Sequence, residues 1–401
     1  MANILFINFP AEGHVNPTLG IVKALAEQGD NVHYITTEKF KERLEGVGAK
    51  VHLHPDLLSK ASIDSSSSAG LQAFLNIHIQ SSLDILEITK QLSESISFDF
   101  VLYDMFGAGK LVRDYFNIPG ISSSPSFKMP DDVFKELPFH PDSEASFELD
   151  RDAEKLLEQI KDRFGVSPEN LLQFMRNDGE LTIVYTSRYF QPNSDHFGDS
   201  HIFIGPSFPK RKESNNQFPL EELKDEKVLY ISMGTVLDQT EEFFNTCIEA
   251  FADFQGKVVI AAGERADFTK ITQAPDNFII SSYVPQLEVL SEADVFITHG
   301  GMNSVNEAIH FQVPLVVLPH DKDQPMVAQR LTELGAGYRL SKENIDVQSL
   351  TAAVNEVLSN NYYKEGIKKI NESFQACGGV QEALKRIDSF VENEYRTIKL
   401  N

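Results

Sequence analysis

Residues 283–324 read YVPQLEVLSEADVFITHGGMNSVNEAIHFQVPLVVLPHDKDQ, and the middle of this stretch runs through a strand, a glycine loop and a helix. Residues 294–298 are a short β-rich apolar run, and His299, Gly300, Gly301, Met302 and Asn303 form the loop. Ser304 opens a helix, which Pro314 separates from the strand 315–318. Such a turn suits phosphate: the glycines let backbone approach a ligand closely, and the unpaired N–H groups of the helix's first turn favour an anion. His299 adds a side-chain donor at the same mouth. Asp323 and Gln324 follow the next strand, which in an open α/β sheet puts them at the same carboxyl edge. The ligand expected there is a phosphate with polar hydroxyls beyond it. Plainer readings exist for each piece. Ser304 and Glu307 have capping-box spacing, which by itself favours a helix start over a binding role. Gly300 and Gly301 fit an ordinary tight turn, and Asp323 and Gln324 an ordinary solvated loop.

At 401 residues the chain exceeds one hydrophobic core, so two domains of about 200 residues each are expected. A 41% hydrophobic and 24% charged composition is that of a soluble globular protein. The formal charge of -23 argues against nucleic acid or anionic membrane as a partner, because both need clustered Lys and Arg. The first strand begins almost at Met1 without a basic leader, and no apolar run approaches the ~20 residues that span a bilayer, so a cytoplasmic protein is expected. Cys247 and Cys377 lack metal-ligand spacing and read as packing residues.

From the start of the chain, residues 3–9 read as a buried strand, residues 10–17 as a loop, and Asn16 with Pro17 as the cap and first position of a helix over 18–28. Residues 31–36 are the next strand, giving a βαβ unit without the glycine pattern of dinucleotide binding. His14 then lies on a loop at the carboxyl edge of the first strand, where an imidazole can take up a proton near neutral pH. Residues 98–103 form another apolar strand, ending in Asp104. Asp104 serves either as a helix cap or as a partner that holds the His14 imidazole in one tautomer for base catalysis on a hydroxyl. Residues 62–70 read as a flexible loop, and Phe127, Phe134, Phe139 and Phe174 as core or cleft-lining rings.

A first domain over 1–205, a Pro-rich linker over 206–227 and a second domain over 228–380 follow from the restart of α/β alternation, with a terminal helix over 381–401 whose packing the sequence leaves open. In the second half, Ser232, Gly234 and Thr235 end a strand where they hold phosphate or uracil, or merely make a turn.

With both halves read, the chain resembles the UDP-sugar-dependent glycosyltransferases of family 1, and most closely their bacterial macrolide- and flavonoid-glycosylating branch. The residues that carry the resemblance are Gly13 through Pro17, Asp104, Ser232 through Thr235, Tyr283 through Gln286, His299 through Ser304, Glu307, Val313, Pro314, Asp323 and Gln324. The resemblance implies a GT-B fold: two Rossmann-like, doubly wound parallel-sheet α/β domains facing a central cleft. It implies the Tyr283 ring and Val284 backbone at uracil, Gln286 and Glu307 at ribose, and Ser232, Thr235, His299, Gly301, Asn303 and Ser304 around the diphosphate. Asp323 and Gln324 fall at the sugar hydroxyls. Plant members usually carry Trp at the position of Tyr283, and this chain has no Trp, so stacking on uracil is expected to be weaker or differently oriented. No Asp-x-Asp pair stands where a metal would bridge the diphosphate, so no metal and no other cofactor is expected. The implied reaction is a single inverting displacement in which His14, oriented by Asp104, deprotonates a hydroxyl of a small apolar or aromatic acceptor. The partners are then a UDP-sugar donor and that acceptor, with no nucleic acid and no membrane. A GT-B sugar-nucleotide 2-epimerase and a non-enzymatic nucleotide-sugar sensor are the alternatives, and neither has a use for a His14 base.

Overall fold

The computed structural model describes residues 1–59, 68–135, 148–208, 218–234, 240–263, 266–321 and 323–400. Two parallel sheets organise it. The first contains β1 (Asn3–Ile7), β2 (Asn31–Thr36), β3 (Lys50–Leu53), β4 (Phe100–Asp104), β5 (Gly120–Ser124), β6 (Leu181–Val184) and β7 (His201–Phe203), in spatial order β3-β2-β1-β4-β5-β6-β7. The second contains β8 (Val228–Ser232), β9 (Lys257–Ala261), β10 (Phe278–Ser281), β11 (Val295–Thr298), β12 (Leu315–Val317) and β13 (Gly337–Arg339), in order β10-β9-β8-β11-β12-β13. In each sheet the order reverses beside the first strand, between β1 and β4 and between β8 and β11. These are the points at which an open α/β sheet leaves a crevice at its carboxyl edge.

The strands read as unbroken apolar runs because helices cover both faces. Alternation of period two sorts the first sheet's side chains: Ile4, Phe6, Val32, Tyr34 and Leu102 enter one core, and Leu5, Ile7, Ile35, Val101 and Tyr103 the other. The first core is closed by the helix Glu12–Glu27 through Leu19 and Val22, the second by the helix Ser68–Ser93 through Leu75, Ile79 and Leu86. In the second sheet, Leu229, Ile231, Val258, Ile260 and Ile297 pack with Phe244 and Phe251 and with the helix Val347–Ser359.

The terminal segment resolves the packing that the sequence left open. The chain divides into Met1–Pro209 with Cys377–Asn401, and Lys210–Ala376. Gly378 and Gly379 take φ of +79° and +59°, turning the chain, and the Gly379 amide donates to the Ile204 carbonyl at 3.1 Å. The helix Gly379–Leu400 then places Ala383, Leu384 and Ile387 in the first unit's core. Within the segment read as a linker, residues 218–227 belong to the second unit, because Leu223 is fully buried there.

The first helix also differs from its sequence reading. It begins at Glu12, not after Asn16, so Pro17 lies inside it and His14 sits in its first turn rather than on a loop. The acidic residue at the helix start explains the extension: Glu12 suits the dipole there and is held by Arg43 at 2.6 Å. Pro17 deprives Gly13 of its helical donor, but the neighbouring His14 carbonyl is satisfied by the Asn8 amide at 2.7 Å. Residues Leu171–Phe174 form a short turn. Phe127, Phe134 and Phe174 are buried in the core, and Phe139 lies outside the described residues, as does most of the loop over 62–70.

Several buried histidines set an acid limit on stability. Burial pushes the His78 imidazole down to about 3, and that of His33, which also faces His52, down to about 4. Both are neutral in the fold, while the unfolded chain protonates them below about 6.5. Their contribution is therefore fully present above pH ~6.5 and is lost as pH falls toward 4 and 3. Melting temperature is expected to drop between pH 7 and pH 4.5, and His33→Asn to flatten that drop. An identical pH slope in the variant would remove His33 from the account.

Candidate active site

In the first unit the strand order reverses beside His14. Its Nδ1 lies 2.8 Å from Asp104 Oδ2, across 90 residues of sequence. Asp104 ends β4 with only 1% of its side chain exposed, and its Oδ1 accepts the Phe106 amide at 2.9 Å. A carboxylate oxygen can only accept, so Nδ1 of His14 carries the proton and Nε2 presents its lone pair. The His14 side chain remains 17% exposed. Of the two roles the sequence left to Asp104, the structure shows the partnership with His14. An imidazole so held can take a proton from a hydroxyl while the carboxylate stabilises the cation that forms.

Neighbours that the sequence reading passed over complete this site. Phe9 meets the His14 ring edge-on at 5.0 Å, and Phe106 lies 5.2 Å from it. Each lies two residues past a strand end, which is the signal that would have found them. Asn177 is fully buried and donates to the Gly107 carbonyl at 2.8 Å, while its own amide donates to the Met105 carbonyl at 2.7 Å. It thereby fixes the turn after Asp104.

The second unit has a separate cluster at the reversal between β8 and β11. Ser232 and Thr298 are register partners, so the strand ends bring Gly234 and His299 together. A Cβ on Gly234 would stand 2.7 Å from His299 Cε1, and one on Gly301 2.5 Å from His299 Nε2. The imidazole is thus packed between two glycines, and a side chain at either place would push it aside. Gly234 also takes φ of +75°, a conformation that side chains disfavour. Gly301 precedes the helix Met302–His310, whose first turn presents its N–H groups beside His299. Asn303 lies in that turn. Thr235 lies outside the described residues.

The capping reading of Ser304 and Glu307 does not hold. Ser304 is the third residue of the helix, and the cap position is taken by Gly301, which has no side chain to cap with. Instead the Gln286 amide donates to Ser304 Oγ at 3.2 Å and to Glu307 Oε2 at 2.5 Å, while its oxygen accepts from the Tyr230 hydroxyl at 3.1 Å. Spacing of three residues placed both on one helix face, and the face turned toward Gln286 rather than toward the helix start. Glu307 is 5% exposed, so this carboxylate is fixed rather than solvated. Tyr283 stands 55% exposed beside the buried Val284.

At the far edge, Asp323 precedes the helix Gln324–Glu333 without capping it through its side chain. Gln324 is 6% exposed, and its amide is turned onto its own loop: Oε1 accepts from the His320 amide at 2.9 Å, and Nε2 donates to Asp321 at 3.3 Å. Gln324 thereby holds the loop that carries Asp323.

Residues 245–389 match the family model of the erythromycin biosynthesis protein CIII-like C-terminal domain. A Bacillus subtilis (strain 168) protein named uncharacterized UDP-glucosyltransferase YdhE is 64% identical over 98% of this chain and 100% of its own length. The NDP-glycosyltransferase YjiC of the same strain is 34% identical over 97% of each chain. Among solved structures, the calicheamicin glycosyltransferase CalG4 superposes with a TM-score of 0.81 at 26% identity, over 98% of this chain and 99% of its own. Identity at this level over full lengths, on two doubly wound sheets of GT-B type, means that the chain belongs to the family 1 glycosyltransferases of the macrolide type and is itself a glycosyltransferase.

Proposed function

We infer that this enzyme moves glucose from UDP-glucose to a hydroxyl of a small aromatic or macrolide-type acceptor, with inversion at the anomeric carbon, in the cytoplasm. The observation that carries the reading is the 2.8 Å contact of His14 with Asp104 at a sheet's switch point. His14 Nε2 removes the acceptor proton, the oxygen attacks the anomeric carbon, and the bond to the UDP oxygen breaks, giving a β-glycoside, UDP and a proton. In the second unit, His299 and the helix start at Met302 stabilise the departing diphosphate, which is electrostatic assistance to a leaving anion. Gln286 and Glu307 receive the ribose, Tyr283 and Val284 the uracil, and Asp323 the hexose hydroxyls. UDP release that depends on an added phenol, with the product's anomeric configuration read by NMR, tests the reading. Phenol-independent release, or an α-linked product, would overturn it.

Two further results are expected from the donor side. Positive potential at the diphosphate comes from backbone N–H groups and an imidazole, so activity is expected to survive EDTA. Loss that added Mg²⁺ or Mn²⁺ restores would show a metal at the diphosphate. Asp323→Ala removes an acceptor for sugar hydroxyls, an effect of about 1 to 3 kcal/mol, and is expected to weaken UDP-glucose binding about five- to a hundredfold or more. Affinity for UDP alone should hardly change. Calorimetric titration with both ligands decides, and equal UDP-glucose affinities would take Asp323 out of the site.

A further inference from the structure

His14 stands in the first turn of the helix Glu12–Glu27, and the helix by itself holds that turn poorly. The cap position is Ala11, which makes no side-chain cap bond. The His14 and Val15 amides converge on the one Ala11 carbonyl, at 3.0 and 2.9 Å. Pro17 has no N–H, so the Gly13 carbonyl has no helical donor one turn on. A base on such a turn needs support from elsewhere, because a misplacement of about 1 Å can cost a hundredfold in rate.

Two side chains from other elements supply that support. Asn8, the residue after β1, is 2% exposed, and its Nδ2 donates to the His14 carbonyl at 2.7 Å. His14 is thus held at its carbonyl by Asn8 and at Nδ1 by Asp104, which fixes where Nε2 lies. On the outer side, Arg43 in the short helix Lys41–Glu45 spends both hydrogens of Nη1 on the same turn. One goes to Glu12 Oε2 at 2.6 Å and the other to Asn16 Oδ1. Glu12 and Asn16 stand two residues before and two residues after His14, so one guanidinium spans the turn that carries the base. Arg43 is 42% exposed, and an ion pair so placed adds little to global stability. Its removal is therefore expected to loosen the turn without unfolding the chain.

We propose that Asn8 and Arg43 are positioning residues for the His14 base, clamping its helix turn from the buried and the exposed side. The inference rests on the reading of His14 as the group that deprotonates the acceptor, and adds to it the residues that hold the base in register. Each acts only through the place it gives His14 Nε2.

The test compares phenol with 4-nitrophenol as acceptor, at saturating UDP-glucose and at a pH between the pKa values of the two phenols. Phenol then needs a base, whereas 4-nitrophenol is already largely ionised and does not. For phenol, Arg43→Met is expected to lower kcat about threefold and Asn8→Leu about tenfold, each with less than about a twofold change for 4-nitrophenol. UDP affinity by calorimetry should stay at the wild-type value in both. Arg43→Lys keeps a cation between Glu12 and Asn16 and should recover part of the loss. If Asn8→Leu fails to fold, the surface variant Arg43→Met decides. Unchanged kcat for phenol, or equal losses with both phenols, would overturn the clamp. His14→Ala serves as the reference, with a loss far larger for phenol than for 4-nitrophenol. Equal losses in His14→Ala itself remove the base assignment, and the clamp with it, whereas equal losses confined to the Asn8 and Arg43 variants remove the clamp alone.

Discussion

His14→Ala is expected to lower glycosyl transfer by about two to four orders of magnitude, the usual contribution of a positioned general base, with binding of UDP left near wild type. The dissociation follows from the division of the chain: His14 belongs to the unit built on the first sheet, and the cluster around His299 to the other. The loss should appear in kcat, because the base acts on the acceptor proton in the transition state rather than on the bound donor. Steady-state rates with a phenol acceptor, alongside calorimetry with UDP, provide the check. Turnover within tenfold of wild type would remove His14 as the base.

Asp104→Asn is expected to be nearly as damaging, although it preserves shape. The Phe106 amide donates to Oδ1, so an asparagine keeps its oxygen there and turns its NH2 group toward His14. Nδ1 must then accept, and the ring proton moves to Nε2, where the acceptor hydroxyl needs a lone pair. The wrong tautomer costs up to about four orders of magnitude in rate, the loss known for the same change in a Ser-His-Asp triad. Because the two residues act as a unit, the His14→Ala, Asp104→Asn double variant should be little worse than His14→Ala alone. Additive losses would show that Asp104 acts independently of the imidazole. Thermal melting of Asp104→Asn separates this from unfolding, since Asp104 is almost wholly buried.

Much of this protein was legible in its text. Several strand positions followed from apolar runs of four to seven residues, and the second sheet's glycine turn from Gly300 and Gly301. Less legible was the start of the first helix. Asn16 and Pro17 are a good cap and first position, yet the ion pair of Glu12 with Arg43 across 31 residues draws the helix back by one turn. The same holds for Ser304 and Glu307. Their spacing is that of a capping box, and the partner that takes them, Gln286, lies 18 and 21 residues away.

What the sequence determined by itself is therefore whatever depends on near neighbours: periodicity, turn chemistry, and which residue types stand at the carboxyl ends of strands. Periodicity is a property of the local backbone, so it survives without knowledge of the fold. Tertiary structure alone decided which of those ends meet. The order β3-β2-β1-β4 sets the ends of β1 and β4 side by side, and only then does a histidine in the first turn of one helix acquire a carboxylate from 90 residues away. It also decided that the terminal helix returns to the first core. Each of these pairings closes a long loop, and its entropic cost is repaid by burial summed over the whole core rather than by any local signal.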